Sequence, residues 1–598
     1  MAKKDKKLIR YTDRDFNSIK ESLVRYTKRY YPDVYQDFSE ASFGSLMLDT
    51  VSYVGDVLSF YLDYQANESF LDTAVEYDNI LRHGEQVGYK QPLKANSFGI
   101  VTLYILVPPI VNGIQPDTDY LPTLVKGSRF SSTNGAVFTL IDDVDFSNVD
   151  NEIVVATSDA TTGATTSYAI KAHGKVISGE ISEQVFTVGE FKRFLTLGLA
   201  DPNITEVVSI IDAEGNEYFE VDYLSQDTIF RSVVNKDVES SRYAPEKIVA
   251  VSVPRRYIVF NRFGQAFIKF GYGSESSLKT DNITHPSNVV LKMHGRDYEK
   301  DTSFDPSNLL ETDKFGIAPA NTTLNVTYRT NKIEDVNVSV NGLIKVDAPI
   351  FVFGENATNS SKIESVRSSL EVTNEKPILG DVSVPTSEEL RQRINDIFST
   401  QNRAVTADDY EGVAYRMPSK FGRIKRVKVL RDQDSFKRNL NMHLLSEDAN
   451  GNFINTNDVL KNNLKVWLNN YRMINDTIDI LDTRIINLRI NFVAVVDYEQ
   501  DKFEALNVAI SEVEQLFERK MDIGEPIYIT SIYDVINNLD EIVDVTNVKI
   551  ENISGGNYSN DTLNIDEYIS ADGRILYAPE NAVYELKFPN LNIVGSIK

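Results

Sequence analysis

Residues 43–61 read FGSLMLDTVSYVGDVLSFY, and the spacing within this stretch settles the character of the N-terminal region. Phe43, Met47, Val51, Val54, Leu58 and Tyr61 recur every three or four residues, the period of an amphipathic α-helix. Asp49, Asp56 and Asp63 recur every seven residues on the other side, a face expected to stay wet. Ser39, ahead of the stripe, is a candidate N-cap. Such a helix runs for about six or seven turns, against a usual mean of about three. In an N-terminal arm it either packs within its own chain or joins a bundle with other chains.

Working outward, the character changes to β from about Ala95 to Thr330. Runs rich in Val, Ile, Tyr, Phe and Thr, such as Gly99–Val107, Val207–Ile211, Tyr218–Val221, Ala266–Phe270 and Thr323–Arg329, alternate with Gly, Asn, Asp and Pro. Residues 212–216, Asp-Ala-Glu-Gly-Asn, predict a hairpin connection, and Thr157–Ser167 predicts an exposed loop. Further strand-like runs lie between Val336 and Phe353. Asn356–Ser361 and Pro377–Pro385 are hinge candidates or ordinary surface loops. Thr386 with Glu389, and Thr406 with Asp409, predict two capped helices. The last stretch reads strand (Leu488–Val496), helix (Phe503, Leu506, Ile510, Val513, Phe517), short helix capped by Ser531, then strand (Ile542–Ile550). That order implies a small sheet with helices on one face.

Composition narrows the function. With 598 residues and 42% hydrophobic content, several buried cores are expected. No Cys occurs, which excludes thiol catalysis, thiolate metal sites and disulfides, and fits folding in a reducing cytoplasm. The apolar run Phe98–Val111 is too short for a membrane span and is broken by Pro108 and Pro109. A net charge of −25 argues against nucleic acid as partner. Two stretches run the other way, Met1–Tyr30 with 10 basic and 4 acidic residues and Arg416–Arg438 with 9 and 2. Either they dock acidic surfaces of neighbouring subunits or they are solvated faces.

The chemistry expected of an enzyme is missing. His83, His173, His285, His294 and His443 are scattered, with no metal-ligand spacing. No G-x-S-x-G elbow or Walker A sequence occurs, and Gly271-Tyr272-Gly273 reads as a tight turn. No carboxylate pair stands out as a catalytic dyad. No catalytic residue, cofactor or metal is expected, and the chain reads as a non-enzyme.

Several segments, in order, resemble a known family. Asp37-Phe38-Ser39-Glu40 through Phe70-Leu71-Asp72-Thr73-Ala74 resembles the N-terminal helical region of baseplate wedge subunits of contractile-tailed bacteriophages. Gly215–Leu224 and Phe270-Gly271-Tyr272-Gly273 resemble their β domain, although Tyr272 stands where the family usually has an acidic residue. Asn402-Arg403-Ala404-Val405-Thr406-Ala407-Asp408-Asp409-Tyr410-Glu411 is similar to a hallmark of the baseplate J-like family. So are Ile523–Ile527, Ser531-Ile532-Tyr533 and Val543-Asp544-Val545. The length resembles the long wedge subunit of large myophages.

The resemblance implies a virion protein of the tail baseplate, assembled in the host cytoplasm, that binds itself and a second, elongated wedge protein. It implies a six-fold ring around the tail hub, support for a lysozyme-like sheath-initiating subunit, and a conformational change that triggers contraction. Interface candidates are Phe43, Met47, Val51, Val54, Leu58 and Tyr61 for the helical bundle. For like-with-like contacts they are Ile523, Pro526, Ile527, Ile532 and Tyr533. The expected architecture is multidomain α+β: an N-terminal helical bundle arm (1–94), a central β-rich domain (95–330), a β segment with hinge candidates (331–384), a helical and mixed domain (385–480) and a C-terminal α+β self-association domain (481–598) with a small sheet covered by helices. The rivals are a fibre-attachment or carbohydrate-binding tail protein and a cell-wall-degrading enzyme.

Overall fold

The computed structural model describes residues 15–31, 33, 38–39, 42–110, 115–158, 165–234, 246–262, 264–274, 315–333, 335–400, 403–432, 439–496 and 501–598. His285, His294 and Asn402 lie outside them, as does part of each basic stretch. The fold is mixed α+β, with N-terminal helices, a large β-rich centre and C-terminal sheets with helices. It divides into two compact units, Met1–Gln91 with Val384–Gln401, and Pro92–Ser383 with Asn402–Lys598.

The first unit holds helices α1 (Phe16–Tyr30), α2 (Phe43–Glu68) and α3 (Tyr77–Gln86), joined by Ser387–Thr400 from the second half of the chain. The N-cap of α2 is Ser42, whose hydroxyl accepts from Ser45 N at 3.1 Å. Ser39 lies a turn too early and bonds Ser42 N through its carbonyl instead. Ser387–Thr400 starts at the expected capping box, with Thr386 and Glu389 bonding reciprocally at 3.3 Å. Its stripe Leu390, Ile394 and Ile397 packs on Ala74, Ile80, Leu81 and Tyr89. Gly84 permits this closeness, since a Cβ there would stand 2.8 Å from Ile394 Cδ1. The expected 385–480 domain is therefore split, because the apolar cover for this helix comes from α3 and not from its sequence neighbours.

The second unit contains two large sheets. The first orders its strands Leu343–Ala348, Arg129–Ser132, Val137–Leu140, Thr165–Ser178, Phe98–Val107 and Glu371–Thr373, with Glu152–Ser158 also paired to Thr165–Ser178. Of the loop expected at Thr157–Ser167, residues 157–158 and 165–167 belong to these strands and residues 159–164 lie outside the described ones. Much of the segment 331–383 is woven into this sheet, and the boundary between the two compact units falls between Ser383 and Val384, inside the hinge candidate Pro377–Pro385. Leu343–Ala348 pairs Arg129–Ser132, and Glu371–Thr373 pairs Phe98–Val107. The Pro377–Pro385 stretch is tied down at Leu379, which exchanges backbone bonds with Phe98, and at Asp381, whose N–H donates to Asn337 Oδ1 at 3.1 Å. Asn359 caps the helix Ser360–Ser368, so the other hinge candidate is ordered too.

The second sheet runs Glu180–Val188, Thr322–Thr330, Ile204–Asp212, Glu217–Glu220, Arg256–Arg262, Gln265–Phe270 and Thr196–Gly198. The hairpin expected at 212–216 joins two of its strands, with Ile211 opposite Glu217. Gly271 is needed for close approach and not only for a turn, because a Cβ there would run into the carbonyls of Phe315 and Gly316.

At the C-terminus, Arg484–Val496 is the spine of a sheet, antiparallel to Ile542–Ile553 and parallel to Ala582–Glu585 and Ile593–Ile597. Leu488, Ile490, Phe492, Ala494 and Val496 share the buried face, as their alternation predicts. In the helix Lys502–Leu516 and just beyond it, Leu506, Ile510, Val513 and Phe517 of the expected stripe pack on this core. Ala505, Ala509 and Val513 form the buried side of the helix, whereas Phe503 is exposed. The small alanines let it lie closer to the sheet than a row of large side chains would. The short helix Ile529–Asn537 starts two residues before Ser531, so that serine does not cap it.

Candidate functional site

The feature of the first unit that a folded core does not explain is the surface of α2. Phe43 is 76% exposed, Val54 50% and Tyr61 62%, and Met47, Val51 and Leu58 are exposed alongside them. Leu46, Tyr53, Phe60 and Leu62 widen the same surface. At about 100° per residue these positions cover an arc of roughly 200°. Of the charged residues of α2, Asp49, Asp56 and Asp63 fall outside that arc, and Glu68, in line with it but beyond Leu62, is buried at the end of the helix.

The opposite side of α2 meets α1. Gly55 approaches Ile19, where a Cβ would stand 3.1 Å from Ile19 Cδ1. Lys20 Nζ reaches Asp49 Oδ1 at 2.7 Å. Ser45 and Ser52 are buried on this side. The expected polarity is thus inverted: the side bearing small residues and aspartates is the covered one, and the apolar stripe faces out. No residue of α1 is buried either, and its exposed Tyr26 and Tyr30, with ring centroids 4.7 Å apart, add more open apolar area. Exposed apolar patches of this extent mark interaction sites. No described helix is long and apolar enough to cross a membrane.

A buried carboxylate holds the far end of α2 in place. Glu68 accepts from Val75 N at 2.7 Å and from Asn79 Nδ2 at 2.8 Å, and His83 Nε2 bonds its carbonyl at 2.8 Å. Burial pushes the Glu68 carboxyl up, but the hydrogen bonds from Asn79, Val75 and Glu76 outweigh it and hold the group below its ordinary value.

The five C-terminal interface candidates behave differently from the helical ones. Ile527 and Ile532 lie in the main C-terminal core and Ile523 in a smaller buried cluster, so these three are not surface contacts. Pro526 and Tyr533 are half-buried, and the Tyr533 hydroxyl accepts from Val548 N at 2.9 Å. The 403–415 segment does similar structural work. Glu411 Oε1 accepts from Val429 N at 2.8 Å, and the Tyr415 hydroxyl accepts from Val427 N at 3.0 Å. Both side chains cap the outer edge of the strand Arg426–Arg431, which otherwise offers a pairing template. Tyr410, pushed up to about 12 by burial and by its bond to Asp476, also accepts from Met473 N.

The second basic stretch is largely used internally. Lys420 pairs with Glu220, Lys425 with Glu447, Arg426 with Asp522 and Lys428 with Glu411, while Arg423 donates to the Leu93 carbonyl. Composition showed the charge but not the carboxylates that neutralise it.

Comparison with known proteins bears directly on the helical surface. Residues 15–86 match the family described as bacteriophage baseplate protein, N-terminal domain. The match covers α1, α2 and α3, and it supports a baseplate protein. No curated protein matches by sequence. Among solved structures, the anti-feeding prophage baseplate, six-fold symmetrised, aligns at 10% identity with a TM-score of 0.25, covering 96% of this chain and 98% of that one. A type VI secretion TssK-TssF-TssG baseplate subcomplex aligns at 9% and 0.25, covering 72% and 96%. Superpositions this loose carry no argument about the fold.

Proposed function

We propose that this chain is a non-catalytic structural subunit of a contractile-tail baseplate wedge, and that α2 is the element through which it joins other subunits. The observation that carries this reading is the apolar arc of α2, free of charged residues between Phe43 and Leu62, open in the chain and lying within the baseplate-type N-terminal region. The arc is wider than one neighbouring helix covers, so at least two further helices are needed to bury it. Moving a large apolar side chain from half-exposed to buried contributes about 1 kcal/mol, and ten such positions supply about 10 kcal/mol before ordering and association are subtracted.

In this reading the covering helices come from a second wedge protein and from another copy of this chain. The completed wedges close a ring around the tail hub, support the sheath-initiating subunit and change conformation on contraction. The role asks for interfaces and not for a tuned pKa. The test is cryo-electron microscopy of tails containing this chain. Density for α2 inside a multi-helix bundle of a six-fold ring is the expected result, and α2 lying bare in the assembled particle refutes it.

A further inference from the structure

The hairpin formed by Thr228–Val234 and Glu246–Ser252 belongs to neither large sheet. Its strands pair antiparallel from Thr228 with Ser252 to Val234 with Glu246, and among the described residues neither pairs with a third strand. A two-stranded ribbon alone is marginally stable in water. Its root, however, is firmly built. The buried Arg256 donates from Nε to the Leu224 carbonyl at 2.7 Å and from Nη1 to the Val253 carbonyl at 2.9 Å. One guanidinium therefore ties the chain entering the ribbon to the chain leaving it. Leu224 and Val253 are themselves buried, and Val253 N donates to the Asp227 carbonyl at 2.8 Å. Beyond this root Phe230 stands 74% exposed. The result is an arm held at its base and, among the described residues, unpaired along both outer edges.

The same unit carries a matching acceptor. Among the described residues Glu152–Ser158 pairs on one side only, with Thr165–Ser178, and all seven of its residues are exposed. Ile153, Val154 and Val155 give it high β propensity, it has a single charge and it lacks proline. Soluble proteins normally cover or charge such an edge.

The two strands fit in one direction. Antiparallel addition of Glu246–Ser252 in full overlap places Ile153 opposite Val251, Val154 opposite Ala250 and Val155 opposite Val249. Glu152 then faces Ser252, while Glu246 and Lys247 face Ser158 and Thr157, so no like charges meet. Parallel addition sets Glu152 against Glu246, a destabilising pair. Bulges follow Val155 in the existing pairing, so the contact centres on Ile153–Val155.

We infer that the ribbon of one copy adds as a strand to the Glu152–Ser158 edge of a second copy of this chain. Donor and acceptor are different surfaces, so the contact is head-to-tail, and its repetition makes a ring or an open fibre. The inference rests on strands of the second unit and is independent of the α2 face.

The chain contains no cysteine, so single-cysteine variants report the contact directly. Full-length Val154→Cys is mixed with full-length Ala250→Cys, and Val155→Cys with Val249→Cys, under mild oxidation. Both antiparallel pair types hold Cα atoms within about 4.5–5.5 Å, inside disulfide reach. The expected result is a mixed disulfide dimer in at least one mixture, at least tenfold above either variant alone. Adding Val154→Lys to the Val155→Cys chain should reduce that yield tenfold, with circular dichroism unchanged. No mixed dimer from either pair overturns the inference. So does a Val154→Cys chain that cross-links to itself as well as to its intended partner, because the edge then pairs with its own kind.

Discussion

Val54→Asp separates the chain's own stability from its assembly. Val54 is half-exposed in the chain, so the substitution removes about half of a valine's burial, and together with helix propensity this costs about 1 kcal/mol. In a bundle that covers α2 the same carboxylate is buried without a partner, at several kcal/mol. With about 4 kcal/mol as the penalty, association weakens by about three orders of magnitude, since 1.4 kcal/mol is tenfold. The assay pairs thermal unfolding of the purified full-length chain with its incorporation into tails made by co-expressed tail proteins. Ile80→Asp serves as the contrast, because Ile80 is fully buried and a charge there should unfold the arm outright. Wild-type incorporation of Val54→Asp refutes the role given to this face. A loss of stability as large as that of Ile80→Asp would show that the stripe is already covered within the chain.

Other substitutions probe the devices that shape the two units. Glu68→Gln should destabilise the turn between α2 and α3 by about 1–3 kcal/mol, read as faster amide exchange in α3. Because the folded Glu68 carboxyl lies below its ordinary value, its contribution is complete above the unfolded pKa and is lost as pH falls through the folded one; the wild-type arm, but not Glu68→Gln, should lose that increment on acidification. Tyr415→Phe leaves Val427 N without its acceptor, so exchange at Val427 should accelerate about tenfold while the helix Ala407–Tyr415 persists. Gly271→Ala drives a methyl into the Phe315 and Gly316 carbonyls and should lower stability by about 3 kcal/mol in chemical denaturation.

The elements that depend on local patterns were legible in the sequence. Both capping boxes, the 212–216 hairpin and the alternation of Leu488–Val496 follow from residues close together in the chain. Pairings across long separations were not. Nothing near Leu390 says that α3 will cover it, and nothing near Leu379 says that it will bridge to Phe98. The helix stripe of α2 was read correctly as a stripe, but periodicity gives no indication of which side is covered. Here α1 chose the side with Ser45, Ser52 and Gly55, where small residues permit close approach. Family resemblance at Ile523, Ile527 and Ile532 marked positions that matter without saying that they face the core. At Glu411 and Tyr415 it marked residues whose partners are the backbone amides of a strand edge.

The bare face of α2 also bears on the life of the subunit before it is built into anything. Newly made copies present the same apolar helix to one another, and in the proposed role the pool of free subunit is limited by how quickly covering helices are supplied. A formal charge of −25 opposes this by keeping copies apart at low ionic strength, a repulsion that salt weakens. Free chain should therefore precipitate at high salt and high concentration, and stay in solution once its helical partners are expressed beside it. In that role, timing of synthesis bears on the yield of finished particles as shape does.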